Sequence, residues 1–414
     1  MTRLGDEIGG LALDLTWSLW SELGVDGTVR RHDWQAIDLE PLLMFTSWIG
    51  SADRRLRSRT IEWSIGNHRL TSAIRMRNLG RRASPSTRES FGRYAATVRA
   101  HTSAPWPAGG DPLGIVPSAS VDAPDLRRPS LLQLRLRALV GVSARAEVLR
   151  VLLSDHDRPK PAAALAEAAA YSKGSVAQAL ELLTLAGIVQ MQPSGNRLVY
   201  RLARPAELRQ TLQSLPAGFP DWPPIFRITE SLATYARSAP SPPSARTSKM
   251  QTLLQTIDDD VRRLGIADAV PKVSGPASVA EVERWAVTFV ADQAGMTQVS
   301  SAAREVAYKV QHLVPGGWIG TMHDRGREPR HLGPSSELEE QSGAAAVSLA
   351  MFHDVLGREN QKLMGKASAN GGVAAISRAF ADQIVAVIER GQEVTFTAEF
   401  LRRWFENRRG RTEG

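Results

Sequence analysis

Residues 142–202 read VSARAEVLRVLLSDHDRPKPAAALAEAAAYSKGSVAQALELLTLAGIVQMQPSGNRLVYRL, and a change of hydrophobic period within them decides the fold. Apolar residues first recur at helical spacing in three segments, which begin at or just after Ser143, Pro161 and Ser172. After Gly187 the period falls to two, and the tight turn PSGN joins two short strands. The stretch therefore predicts three helices followed by a β-hairpin.

This order of elements resembles the winged helix-turn-helix domain of ArsR-type and MarR-type bacterial transcription regulators. In that resemblance residues 161–170 form the positioning helix, 172–186 the recognition helix and 194–197 the tip of the wing. The resemblance covers 61 of the 414 residues and implies binding to double-stranded DNA. It also favours a homodimer, because two-fold symmetry lets two recognition helices meet half-sites about one helical turn apart.

The predicted recognition helix begins with side chains that can hydrogen bond to DNA. The amino-terminal end of a helix lying in the major groove reaches base edges, and a glutamine can hold adenine through two hydrogen bonds. Arginines on a wing suit contacts to phosphate or to the minor groove. The candidate DNA-binding residues of this region are Ser172, Lys173, Ser175, Gln178, Arg197 and Arg201.

Positive charge is concentrated in one part of the chain. Between Arg54 and Arg99 there are twelve arginines and two acids, Glu62 and Glu89, a net charge of +10. The whole chain carries +8, so the remainder carries −2. Such asymmetry predicts either a face that follows phosphates or a set of helix caps and solvated or partner-facing arginines. The candidates for the DNA-facing surface are Arg54, Arg55, Arg57, Arg59, Arg75, Arg77, Arg81 and Arg82.

The composition excludes several classes of chemistry. The chain has no cysteine, which rules out disulfides, thiolate metal sites and a cysteine nucleophile. It has neither the run of about eighteen apolar residues that a membrane helix requires nor the apolar core of a signal peptide. We therefore expect a cytoplasmic protein without membrane contact.

Catalytic motifs are missing from the sequence. There is no P-loop, no glycine fingerprint after a strand and no GxSxG. His323 and His331 lie near each other in a polar loop, but without the helical spacing of metal ligands. We predict no enzyme activity, no catalytic residue, no metal and no cofactor.

The predicted fold is mainly α-helical, with several domains and a central winged helix-turn-helix. Tryptophans 17, 20, 48 and 63 indicate a packed core in the first domain, with Trp48 and Trp63 largely buried. The predicted parts are a helical domain with an arginine-rich face at 1–100, a linker or extended arm at 101–130, the winged helix at 131–204, a helix and a Pro/Ser-rich linker at 205–248, and a helical region at 249–414.

Two functions are compatible with this organisation. The first is sequence-specific DNA binding by a transcription regulator, which acts as a homodimer. The second is a protein-interaction scaffold, or the antitoxin-type partner in a bacterial defence or toxin system, which would use the winged helix for protein contacts.

Overall fold

A computed structural model describes residues 3–295, apart from 26–30, 34, 116, 118–122, 156–157 and 238–241. Within these residues the protein is mainly helical, with one small three-stranded antiparallel sheet. The predicted mainly α-helical class is therefore confirmed for this part of the chain. The helices predicted beyond residue 295, and the polar loop that contains His323 and His331, lie outside the described residues.

The described residues fall into two units. Those within Met1–Thr211 and Phe219–Ala294 belong to the first, which is compact, and Leu212–Gly218 with Gly295 belong to the second. Every contact described below lies within the first unit. None of the described helices is long and apolar enough to cross a membrane.

Five helices begin the first unit, and side-chain caps set three of their starts. The side chains of Asp53, Ser72 and Ser84 each accept a hydrogen bond from a backbone N–H in the first turn that follows. These helices are α1 (Arg3–Glu22), α2 (Leu39–Ile49), α3 (Arg54–Asn67), α4 (Ala73–Gly80) and α5 (Pro85–His101).

Tryptophans hold the core of these helices together. The rings of Trp20 and Trp63 meet edge to face with their centroids 5.3 Å apart. Trp63 is fully buried and Trp48 is 8% exposed, which confirms the predicted burial of both side chains. Trp17 is half buried, and its indole N–H donates to the Asp53 carboxylate at 2.8 Å.

The segment at 102–115 is an extended arm that packs on the first helices. Trp106 is buried, and its indole N–H donates to the Thr71 hydroxyl at 2.8 Å. The N–H of Gly109 donates to the carbonyl of Gly92 in α5 at 3.0 Å, so the two backbones lie in direct contact. A Cβ at Gly92 would lie 2.7 Å from the carbonyl oxygen of Gly109, which explains why residue 92 is a glycine.

Four helices and the sheet form the next part of the unit. The sheet has the order β1–β3–β2, and Val189 pairs with Leu202 at one end of the hairpin while Ser194 pairs with Arg197 at the other. The predicted succession of three helices and a hairpin is present, and β1 adds a strand that the sequence did not indicate. The elements are α6 (Leu132–Val140), α7 (Ala144–Ser154), β1 (Lys160–Pro161), α8 (Ala162–Ala169), α9 (Lys173–Leu185), β2 (Val189–Ser194) and β3 (Arg197–Leu202).

The last helices return to the beginning of the chain, where α11 packs on α1 and α2 and α13 packs on α1. The last residues of the part predicted as a helix and a Pro/Ser-rich linker at 205–248 are helical instead, because α12 begins at Pro243. A proline is favourable in the first turn of a helix, where its missing N–H has no partner to lose. The helices are α10 (Pro205–Leu212), α11 (Trp222–Ala236), α12 (Pro243–Arg263) and α13 (Pro276–Gln293).

Candidate nucleic-acid interface

Helix α9 buries one face and exposes the other, so it presents a free surface at its start. The Ser172 hydroxyl accepts from the N–H of Ser175 at 3.1 Å and lies 2.8 Å from the Ser175 hydroxyl, which caps the helix. Val176, Ala179, Leu180 and Leu183 are buried. The exposed side chains are Lys173, Ala177, Gln178, Glu181, Leu182 and Leu185.

The hairpin β2–β3 also has two different faces. Val189 and Leu202 are buried at its base. Residues directly opposite each other in a hairpin point to the same face, so Arg197 shares a face with Ser194 and Arg201 shares one with Gln190. Both arginines are exposed, and Arg201 donates to the Gln190 side-chain oxygen at 3.2 Å.

Helix α4 contacts the turn between α8 and α9. The side chains of Arg75 and Asn78 on α4, together with that of its cap Ser72, bind the three consecutive residues 169–171, just before the cap of α9. Arg75 Nε donates to Ala169 O at 2.9 Å, Asn78 Nδ2 donates to Ala170 O at 2.9 Å, and the hydroxyls of Ser72 and Tyr171 lie 2.8 Å apart. We call these three bonds the turn clamp.

The clamped turn contains a strained residue. Ala170 has a φ of 54°, in the left-handed region that costs a non-glycine residue about 1–2 kcal/mol. The hydrogen bond from Asn78 helps to hold this conformation. Because Ser172 follows two residues later as the cap of α9, the position of α4 sets the direction in which α9 leaves the turn.

The predicted arginine-rich face is divided in two by this arrangement. The fourteen residues of α3 place its start roughly 20 Å from its end. Arg54 is exposed at that start. The other three members of the first group are engaged within the helical domain. Arg55 lies over Trp17 of α1, 5.5 Å from the centroid of its ring, Arg57 is half buried, and Arg59 pairs with Glu62 of its own helix at 3.2 Å.

The second group lies on and just after α4, beside the clamped turn. Arg77, Arg81 and Arg82 are exposed. Arg82 makes a surface ion pair with Glu167 of α8 at 3.4 Å, and exposed pairs of this kind contribute little to stability. Arg77, Arg81 and Arg82 therefore lie exposed on or just after the helix whose Asn78 binds the turn before α9.

Arg75 does not belong to this surface. Its side chain is completely buried, so the prediction that it contacts DNA is wrong. Its guanidinium donates twice to Asp38, at 2.6 and 2.7 Å, and once to Glu40. Glu147 lies 3.8 Å from the same group. Arg75 therefore joins α4 to the segment before α2 and to α7.

Two further arginines complete this cluster, which we call the buried charge network. Arg137 of α6 donates to Glu40 at 2.6 and 2.8 Å and to Glu147 at 2.6 and 3.0 Å. Arg150 pairs with Glu147 at 2.9 Å and with Asp38 at 3.5 Å. Asp38, Glu40 and Glu147 thus face three guanidinium groups, and the charges balance.

The electrostatics of the network follow from this balance. Burial alone would raise the pKa of Asp38, but the positive charges of Arg75 and Arg150 outweigh it and lower that pKa below its ordinary value. The same competition, with Arg75 and Arg137 as the main cations, holds the pKa of Glu147 well below its usual range. Each of the three carboxylates faces a guanidinium, so the cluster is a buried salt-bridge network rather than a catalytic pair.

No group of three His, Asp or Glu residues that could hold a metal ion occurs among residues 3–295 as far as the structure describes them. Comparison of the chain with protein-family models, curated proteins and solved structures finds no match. The function therefore has to be argued from the surface of α9, the hairpin and α4.

Proposed function

We propose that residues 131–204 form a winged helix-turn-helix that binds double-stranded DNA in a sequence-specific way. The observation that carries the proposal is the free amino-terminal end of α9, next to a turn that α4 holds in place. A recognition helix needs this combination, because its side chains must be exposed while its direction stays fixed. The protein would act as a homodimeric transcription regulator in the cytoplasm.

The proposed interface divides its contacts between bases and phosphates. Lys173 and Gln178 are exposed on α9 and would read base edges in the major groove. Arg197 and Arg201 of the hairpin would contact the DNA backbone. Arg77, Arg81 and Arg82 extend this basic surface from the clamped turn and would neutralise phosphates on the flank.

The experiment is a selection of bound sequences from a random duplex pool with the full chain, followed by affinity measurements at four salt concentrations. Gln178→Ala should weaken binding to the selected site by about 1–3 kcal/mol and leave binding to random DNA unchanged. Each phosphate contact adds about 0.9 to the slope of log affinity against log salt. The double variant of Arg77 and Arg81 to Gln should therefore lower this slope by up to about two without changing sequence preference.

The matched control is the double variant of Arg54 and Arg55 to Gln. It removes the same charge from the start of α3, away from α4, and we expect it to leave the slope unchanged. Equal loss from both double variants would mean that only the net charge matters. Failure to select any sequence, together with salt-independent binding, would exclude the proposal.

A protein-interaction role is the second candidate, and exposed apolar residues favour it. Leu185 is 85% exposed at the end of α9, and Met191 and Leu198 on the hairpin are about half exposed, at 47% and 48%. The two charges on the exposed face of α9, Lys173 and Glu181, cancel. A scaffold or antitoxin-type protein would use this surface for a partner protein, and loss of complex formation in Leu185→Asp with unchanged DNA affinity would identify that role.

A further inference from the structure

Helix α9 carries a row of exposed residues that are spaced by four positions. The row consists of Lys173, Ala177, Glu181 and Leu185, all of which are exposed. Residues four apart lie one above another on a helix, so the row forms one ridge from the first residue of α9 to its last. Its two charges have opposite signs, and each lies four residues from Ala177.

Neither of these charges is neutralised by the part of the chain that the structure describes. No described residue forms an ion pair with Lys173 or Glu181, and no opposite charge lies three or four positions away from either on α9. Other exposed carboxylates do have a cation, since Glu167 and Glu207 each lie 3.4 Å from an arginine. An unpaired carboxylate in the middle of a surface proposed to approach DNA phosphates calls for an explanation, because like charges repel.

A two-fold axis through Ala177 would pair both charges. If a second copy of α9 crosses the first in the antiparallel direction at this residue, position 173 of each copy faces position 181 of the other. Two identical Lys173–Glu181 pairs then form, as expected for an interface in which both copies use the same surface. The charge pattern of the ridge is therefore complementary to itself.

Small residues near the axis allow the two helices to approach each other. Ala177 lies on the axis, and the exposed Gly174 has no side chain to obstruct the contact. Ridges of residues four apart interlock when two helices cross at about −50°, with their axes about 8–10 Å apart. The same symmetry places Leu182, which is 44% exposed in a single copy, opposite the start of the second α9 and covers part of its surface.

We propose that two copies of this chain associate through antiparallel packing of their α9 helices, with Lys173 of each copy paired to the partner's Glu181. The contact covers Lys173 and Gln178, so this dimer is a resting form that does not bind DNA through α9. Two copies that meet DNA half-sites then pair through a different surface. The regulatory half of this inference rests on the proposed DNA binding, and the association does not.

Charge reversal tests the association, with the dimer dissociation constant of the full chain measured by analytical ultracentrifugation at low ionic strength, where screening is weak. Lys173→Glu and Glu181→Lys each turn two attractive pairs into two repulsive pairs, so each should weaken the dimer by about tenfold or more. The double variant exchanges the two charges and should restore the wild-type constant. An equimolar mixture of the two single variants should form a heterodimer, because its two cross-copy pairs are attractive again.

Net charge alone predicts a different result. Lys173→Glu lowers the net charge of +8 by two, which reduces the repulsion between copies and would strengthen a dimer that depended only on net charge. Arg204→Glu makes the same change at an exposed position outside α9 and is the matched control, which should not weaken the dimer. A monomeric wild type, a dimer that Lys173→Glu does not weaken, or a folded double variant as weak as the single variants would overturn the proposal.

A single introduced cysteine tests the position of the axis, because the chain contains no cysteine of its own. Ala177→Cys places two thiols at the crossing point, where mild oxidation should join the copies, since a disulfide needs Cα atoms about 4.4–6.8 Å apart. Ala280→Cys at an exposed position of α13 is the control and should not cross-link. Equal cross-linking of the two variants would mean that the copies meet by random collision and would overturn the axis.

The regulatory half is tested by the DNA affinity of the cross-linked Ala177→Cys dimer before and after reduction of the disulfide. The cross-linked dimer should not bind the selected duplex, and reduction should restore binding, which excludes misfolding as the cause. Unchanged affinity in the cross-linked form would overturn the resting role and leave the dimer in place. Absence of DNA binding by the reduced protein and by the wild type would instead overturn the proposed function, while the charge variants decide the dimer independently.

Discussion

Replacing Arg75 with methionine should destabilise the protein strongly, although a DNA-facing arginine could be replaced at almost no cost. Methionine keeps much of the length and apolar volume of the side chain but removes the charge. Arg75 contacts Asp38, Glu40 and Glu147 and is itself fully buried. The variant therefore leaves three buried carboxylates with two guanidinium groups.

The size of the expected loss of stability follows from this imbalance of charge. Removing one partner of a buried ion pair costs about 3–5 kcal/mol, because the other charge stays buried without compensation. The free energy of unfolding of a domain is typically about 5–15 kcal/mol. The variant should therefore still fold, but it should unfold at a much lower urea concentration than the wild type. Arg77→Met is the matched control on the same helix. Arg77 is exposed, and its replacement should change the free energy of unfolding by no more than about 0.5 kcal/mol.

The loss of stability in Arg75→Met should also depend on pH. In the wild type the pKa of Asp38 is lowered on folding, so its contribution to stability is present above its unfolded pKa, roughly 4, and is lost as the pH falls through the lower folded value. In Arg75→Met the burial that raises this pKa is opposed by fewer cations, and the folded pKa rises. Protonation then removes the uncompensated charge, so the difference between wild type and variant should be largest at pH 7 and should shrink toward pH 4.

Urea denaturation followed by tryptophan fluorescence at pH 7 and pH 4.5 measures both effects, since the buried rings of Trp20 and Trp63 report unfolding. Two results would refute the reasoning. One is a cost at pH 7 that equals the cost of Arg77→Met. The other is a large cost that does not change with pH, because it would come from packing rather than from charge.

Three further changes test the packing by the same denaturation assay. Gly92→Ala would place a Cβ 2.7 Å from Gly109 O and should lower the free energy of unfolding by about 1–3 kcal/mol. The control Gly66→Ala on α3 meets no neighbouring atom and should raise the free energy of unfolding by about 0.5–1 kcal/mol. Similar effects of the two substitutions would mean that the arm does not pack on α5. Trp63→Ala should cost about 3–5 kcal/mol, and a cost below 1 kcal/mol would contradict its complete burial. Ala170→Gly should stabilise by about 1 kcal/mol because it relieves a φ of 54°, and destabilisation would show that the turn is not strained.

The elements that could be predicted from sequence are those whose signals are local. The recognition helix was predicted at 172–186 and α9 is found at Lys173–Leu185, because Ser172 caps it and Gly187 follows it in a left-handed conformation. The PSGN turn likewise marked the hairpin, which pairs as far as Ser194 and Arg197. Both predictions depend on neighbours within a few positions.

The environment of Arg75 could not be predicted in this way. Its carboxylate partners Asp38 and Glu40 are 37 and 35 residues away along the chain, and its contact with Ala169 spans 94 residues. A run of arginines therefore indicated a surface even though one member is buried. A weaker signal was present, because Arg75 lies next to Met76 and four positions before Leu79, on the side of α4 that packs inward.

Local sequence patterns also could not predict how residues 205–294 pack on the rest of the unit. The Pro/Ser-rich composition at 241–248 is typical of a linker, but α12 runs through it because its apolar side packs on α11. Met250, Leu253, Ile257 and Val261 supply that side at helical spacing and are buried. The period was visible in the sequence from Met250 onward, but no local signal indicated that the helix begins as early as Pro243.

The buried charge network has a consequence for how this protein can be divided or recombined. Glu147 and Arg137 belong to the segment that carries the hairpin, whereas Asp38, Glu40 and Arg75 come from the beginning of the chain. A fragment that starts at residue 132 would keep one acid and two arginines and would expose the tyrosine whose hydroxyl contacts Ser72. A fusion protein that contains only the segment from residue 132 onward would therefore bury an unbalanced set of charges. The segment and the beginning of the chain have to be kept together in any recombined protein.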